Sequence, residues 1–216
     1  MQRFPQCLRC GSLERHRIGR AIVESIWGAE RLREHKLLQI SRDNTVPQSR
    51  FRETEVSVFH SQTSIDVQKI ARASHSYDFI VCSHVIEHVP DHRKAIMELG
   101  RILTHRGVLL LSYPSPFTRR VTLDWGFPDF NQHGHYRVIG KDFDSEYKAL
   151  LPDFFVTAVT GLDTATGARD RVCLITGSQD EVARIMLSKL EVELISRPEV
   201  LRTFRLRPYT PETAGI

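Results

Sequence analysis

The 216-residue chain sets 30 Lys and Arg against 26 Asp and Glu, a net charge of +4, with 41% hydrophobic and 26% charged residues. That length suits one well-buried domain with an appendage rather than two full domains, and the composition excludes a disordered or fibrous chain. The basic excess is too slight for a general nucleic-acid footprint, and the longest apolar run, within 108–113, is too short to cross a bilayer. The first residues lack the apolar run of a secretory leader, and four cysteines in a chain read as unsecreted argue against a disulfide framework, so a cytoplasmic setting is expected.

Residues 13–35 place Ile18, Ile22, Ile26 and Trp27 on one stripe and are expected to be helical, after a knuckle at Cys7 and Cys10. Residues 36–41 (KLLQIS) and 55–60 (EVSVFH) read as short strands. Residues 77–83 (YDFIVCS) read as a clearer one, because a continuous apolar run belongs to a strand covered on both faces. A helix is expected from Asp91, with Ala95, Ile96, Leu99, Ile102 and Leu103 at helical spacing, stopped by His105, Arg106 and Gly107. Gly107 then opens the strand GVLLLSYP. Residues 115–140 read as a loop rich in aromatic, Pro and His residues, and 141–151 as a helix. Residues 154–160 and 171–176 read as a closing antiparallel pair around the turn-rich GLDTATGARD. Beyond 178 a helix (Val182, Ile185, Met186, Leu190) and a basic tail extend past what the sheet needs; in the tail Arg202, Arg205 and Arg207 alternate with Leu201, Phe204 and Leu206. Alternating helices and strands predict an α/β domain built on a mostly parallel sheet. The expected organisation is a domain over 1–178, of which 1–35 form the knuckle and first helix, and an extension over 179–216.

The segment 77–114, YDFIVCSHVIEHVPDHRKAIMELGRILTHRGVLLLSYP, resembles the central block of class I S-adenosylmethionine-dependent methyltransferases. In that block a strand opening on an aromatic residue and Asp leads into an EH-V turn, a helix and a glycine-led strand. CLRCGSLERHR at 7–17 resembles the CPxCGSxERHR signature of one small branch of the family. QHGHYRVIGKDF at 132–143 resembles that branch's QHxHxRxYGxDF stretch, with Ile139 in place of Tyr. The resemblance implies a Rossmann-like, doubly wound, mostly parallel seven-stranded sheet with an antiparallel closing strand, plus a C-terminal tail. It implies S-adenosylmethionine as cofactor, lying across the carboxyl ends of the first strands.

By that resemblance Ser41, Asp43, Asp66, Ser83, His84 and Glu87 line the cofactor, and the 132–137 loop closes over the substrate. The cofactor loop itself departs from the family, since no glycine occurs between Gly28 and Gly100 and only Gly allows the closest backbone approach to a ligand. The second strand also lacks a closing carboxylate for the ribose, which leaves Asp66 as the acid near it. His133 and His135 belong to a loop at the ligand face and are the expected acid–base pair. No metal site is assigned: zinc at Cys7 and Cys10 is not favoured, because one CxxC supplies two ligands and a closed site needs four.

The expected activity is methyl transfer from S-adenosylmethionine to an O or N atom of a small molecule. The alternative is a catalytically silent methyltransferase-like protein serving as a binding module or as a subunit of a complex. The tail beyond 178 is the expected surface for a second copy or a partner protein, and RNA binding through it is a third reading, which predicts steep salt dependence.

Overall fold

A computed structural model describes residues 6–114 and 119–198. The alternation of residues 201–207 proposed above lies outside the described residues.

Helix α1 (Glu14–Leu32) precedes β1 (Lys36–Ile40), β2 (Glu53–Ser57) and β3 (Tyr77–Ser83). Helix α2 (His92–Ile102) leads into β4 (Leu103–Ser112). A hairpin of β5 (Leu123–Asp129) and β6 (His135–Val138) follows, then α3 (Tyr147–Leu150), β7 (Phe155–Leu162), β8 (Arg169–Thr176), α4 (Gln179–Met186) and β9 (Glu191–Ser196). Seven strands form one sheet in the order β2-β1-β3-β4-β8-β7-β9. β2, β1, β3 and β4 run parallel, while β8 is antiparallel to both β4 and β7, and β9 is antiparallel to β7.

Side chains alternate across the sheet and build two cores. Phe79, Val81, Val108 and Leu110 pack with Ile18, Ile22 and Trp27 of α1 and Ile185 of α4. Ile80, Cys82, Leu109 and Leu111 pack with Ile96 and Leu99 of α2 and Tyr147 of α3. Helices on both faces make the doubly wound architecture that the sequence predicts. Among the described residues no helix is long and apolar enough to cross a membrane.

Three expectations are corrected. The second strand ends at Ser57, not 60, because the chain turns there with Ser61 N–H donating to the Val58 carbonyl. Helix α2 stops at Ile102 because Leu103 pairs with Tyr77 in the sheet, four residues before the expected stop. Gly107 serves a close approach instead: a Cβ there would meet the Asp78 carbonyl oxygen at 2.8 Å. Residues 179–196 do not extend past the sheet, since β9 is its edge strand and Trp27 Nε1 donates to Glu181 Oε2 at 2.7 Å, tying α4 to α1.

His92 opens α2 at 4% exposure, with its ring 5.2 Å from that of Phe143 and its Nε2 without a partner. Burial pushes its pKa down to about 4; Arg137 and Arg93 add to the shift, and Asp124 and Glu146 oppose it. The fold therefore favours neutral His92, so stability present above the unfolded value near 6.5 is lost as pH falls from there toward 4. The loss should reach about 3 kcal/mol at full protonation. Thermal unfolding of wild type and His92→Phe across pH 7 to 4.5 checks this, and equal acid slopes would remove His92 as the source.

Candidate functional site

The parallel strands carry the site at their carboxyl ends, where β1 and β3 lie side by side and their connections leave in opposite directions. Ser41 follows β1 with φ 70°, and His84 follows β3 with φ 54°. Both hold the left-handed conformation that glycine adopts without strain, so the turn shape survives the missing glycines at a backbone cost of order 1–3 kcal/mol each. The Ser41 N–H donates to the Ser57 carbonyl (3.1 Å), and the His84 N–H donates to the Ser112 carbonyl (2.9 Å), which fixes both turns to neighbouring strands. Ser83 is buried and accepts from Ser112 Oγ at 3.1 Å.

Asp43 faces inward. Its Oδ1 accepts from Gln39 Nε2 (2.9 Å) and from the Thr45 N–H (2.8 Å), and the Gln39 amide is completed by Gln48 Nε2 at 2.9 Å. Asp43 thus sets the loop's shape through the fully buried Gln39. Asp66 is exposed in a turn, with its Oδ1 accepting from Gln68 N–H at 2.9 Å. The connection does fold back onto β2, since Ile65 N–H donates to Ser57 Oγ at 2.9 Å. Gln68 in turn accepts from the Asp91 N–H at 2.9 Å, which places the Asp66 turn beside the start of α2.

The N-terminal signature braces the same loop, which sequence reasoning missed. Asn44 Nδ2 donates to the Cys10 carbonyl (2.7 Å), and Arg20 donates to the Asn44 carbonyl (2.9 Å). Arg17 holds Ser12 O at 2.8 Å and grips Asp163 with two hydrogen bonds of 3.0 and 2.7 Å. His16 is buried at the site, and burial pushes its imidazole down, with the Asp43 charge opposing and Arg15 and His84 adding. Cys10 Sγ lies 3.2 Å from Ser12 Oγ, and hydrogen bonding with Ser12 above all brings its thiol down to about 7. Among the described residues, no third His, Cys, Asp or Glu joins Cys7 and Cys10 at ligand distance.

The turn after β3 carries Glu87, which is 0% exposed with neither carboxylate oxygen hydrogen-bonded. His84 Nδ1 lies 3.4 Å from Glu87 Oε1, an electrostatic contact without hydrogen-bond geometry, and His84 Nε2 is buried without a partner. Over this turn lies the β5–β6 hairpin, found where the sequence reads as loop. Arg137, 1% exposed, donates to the carbonyls of Ile86 (3.0 Å), Val89 and Pro90 (2.7 Å) and to Asp124 Oδ2 (2.7 Å). This clamp fixes β6 against the Ile86–His88 turn. His135 on β6 therefore faces His88, with ring centroids 4.5 Å apart and nearly perpendicular. Burial lowers the His135 pKa, and the neighbouring Glu87 charge opposes that shift. His133 is exposed at the hairpin end, 6.0 Å from the His135 ring, while Phe127 and Phe130 face solvent.

An open cleft of about 950 Å³ lies at the opposite end of the sheet, lined in part by His75, Arg101, His105 and Gln179. Open α/β sheets bind ligands at the carboxyl ends of their strands, and the unpartnered atoms of Glu87 and His84 are there, so the candidate site is sought at those ends.

S-adenosylmethionine fits these residues. Its polar groups match the unpartnered nitrogen of His84 at the end of β3.

A family model described as a methyltransferase domain matches residues 13–143. No curated protein matches the chain. Among solved structures, the YcgJ protein from Bacillus subtilis is 15% identical with a TM-score of 0.45, over 72% of this chain and 94% of that one. A SAM-dependent methyltransferase from Methanosarcina mazei is 15% identical with a TM-score of 0.40, over 66% of this chain and 91% of that one.

Proposed function

The chain belongs to the methyltransferase-domain family, whose model matches it over residues 13–143, and from that premise we propose that it methylates an O or N atom of a small molecule. The observation that carries this reading is the pair of left-handed turns, at Ser41 and His84, that face each other across the carboxyl ends of the neighbouring strands β1 and β3. Bound there, S-adenosylmethionine supplies an electrophilic methyl group that an O or N nucleophile takes in one displacement.

The chain's own residues position and deprotonate. Backbone at Ser41, Ser83 and His84 lines the cofactor, with Asp43 holding the loop from behind and Glu87 at the boundary with the acceptor. Asp66, exposed in the connection between β2 and β3, is assigned to the outer rim. The hairpin restricts water and aligns the acceptor, which is where most of the rate of such a displacement arises. His133, exposed at the hairpin end, takes the acceptor's proton at a ring nitrogen, while His135 stays against the turn.

Isothermal titration with S-adenosylhomocysteine tests the reading. Micromolar binding, about −8 kcal/mol, is expected. No heat and no thermal shift at millimolar ligand would sink it in favour of a silent binding module.

A further inference from the structure

We propose that Glu87, His88 and His135 form a binding site for a divalent transition-metal cation. Their donor atoms lie within 4.8 Å of one another, and among the described residues they are the one such group of three. The independent sign is Glu87, a fully buried carboxylate whose two oxygens make no hydrogen bond among the described residues. A buried anion without a partner costs several kcal/mol unless a cation meets it. His84 does not discharge that cost, since its 3.4 Å contact reaches one oxygen only and lacks hydrogen-bond geometry. Arg137 does not discharge it either, because its guanidinium is committed to Asp124 and three carbonyls.

That commitment also explains how the ligands meet. Two come from the turn after β3 and the third from β6, and Arg137, two residues beyond His135 on the same strand, bolts β6 to the turn through Ile86, Val89 and Pro90. Two imidazoles and one carboxylate select cations of the zinc, cobalt and iron class over magnesium, which prefers an all-oxygen shell. Three protein ligands leave a coordination position open, as in sites that bind water or substrate. Resting on the methyl-transfer reading, a cation held there would make a hydroxyl the fitting acceptor, since it would make a bound hydroxyl more acidic.

The test uses the full chain stripped with a chelator, then dialysed against Zn²⁺, Co²⁺ or Mg²⁺, with bound metal counted and the Co²⁺ visible spectrum recorded. One equivalent of Zn²⁺ or Co²⁺ is expected, with Mg²⁺ far weaker. His88→Ala, at an exposed side chain that the fold does not depend on, should weaken Zn²⁺ at least the ~10- to 100-fold that loss of an outer-shell partner costs. Glu87→Gln should do the same, and a Cys7→Ser/Cys10→Ser double variant should retain the equivalent. Metal lost in the cysteine variant but kept in His88→Ala would overturn the proposal, as would binding of Mg²⁺ alone or of none. The readout needs neither cofactor nor acceptor, so S-adenosylhomocysteine binding by the stripped protein separates failure of the metal site from failure of the methyl-transfer reading.

Discussion

Arg137→Ala is expected to free the β5–β6 hairpin from the body of the protein at a cost of about 3 kcal/mol, the low end for breaking a buried charged contact. The figure comes from what is left behind. Three carbonyls lose their donor, that of Ile86 fully buried and those of Val89 and Pro90 partly so, and such a loss at a buried group costs about 1–3 kcal/mol. The ion pair itself adds little, because Asp124 is 39% exposed and solvent screens it. Asp124→Asn should therefore cost less than about 1 kcal/mol. Arg137→Lys keeps the charge, but three donors on one nitrogen cannot span the four acceptors that the planar guanidinium reaches from three nitrogens, so it should fall between the two. Amide exchange separates hairpin release from global unfolding. Protection over 123–138 should drop while β3 and β4 stay protected, and wild-type protection in Arg137→Ala would remove the clamp from the account.

The hairpin is also where sequence reading met its limit. Strand β3 is legible to its ends because YDFIVCS is buried along its length, and a continuous apolar run has few other homes. β5 is mostly exposed on both faces and contains Gly126 and Pro128, so neither alternation nor propensity marks it as a strand. What orders it is one arginine reaching another element, a tertiary fact that no local window contains. The same holds for the cofactor loop. The resemblance assigns Ser41, Ser83, His84 and Glu87 to the cofactor, yet the bracing of the loop after β1 by Arg20, Asn44 and the Cys10 carbonyl joins residues up to 34 positions apart. The end of α2 shows local signals overruled. The helical pattern runs through Leu103 and a glycine stop follows, but pairing of Leu103 with Tyr77 ends the helix first.

The loop gives the second large effect. Asp43→Ala should weaken S-adenosylhomocysteine binding about 10- to 100-fold, equivalent to about 1.4–2.8 kcal/mol, with global stability less affected. The carboxylate anchors the turn from behind: removing it leaves the Gln39 side-chain donor in a fully buried setting with only the Asp43 carbonyl at 3.1 Å, and frees the Thr45 N–H. An unmade bond at a buried donor costs about 1–3 kcal/mol, and a loop that relaxes to recover it no longer presents Ser41 in its left-handed turn. Asp43→Asn decides between positioning and direct contact. Its amide oxygen can accept from both Gln39 and Thr45, so if Asp43 acts through the loop, binding should stay within about threefold of wild type, under 0.7 kcal/mol. If instead the negative charge itself meets the cofactor, Asp43→Asn should fall as far as Asp43→Ala, and the loop would then owe its shape to the Arg20–Asn44–Cys10 brace alone.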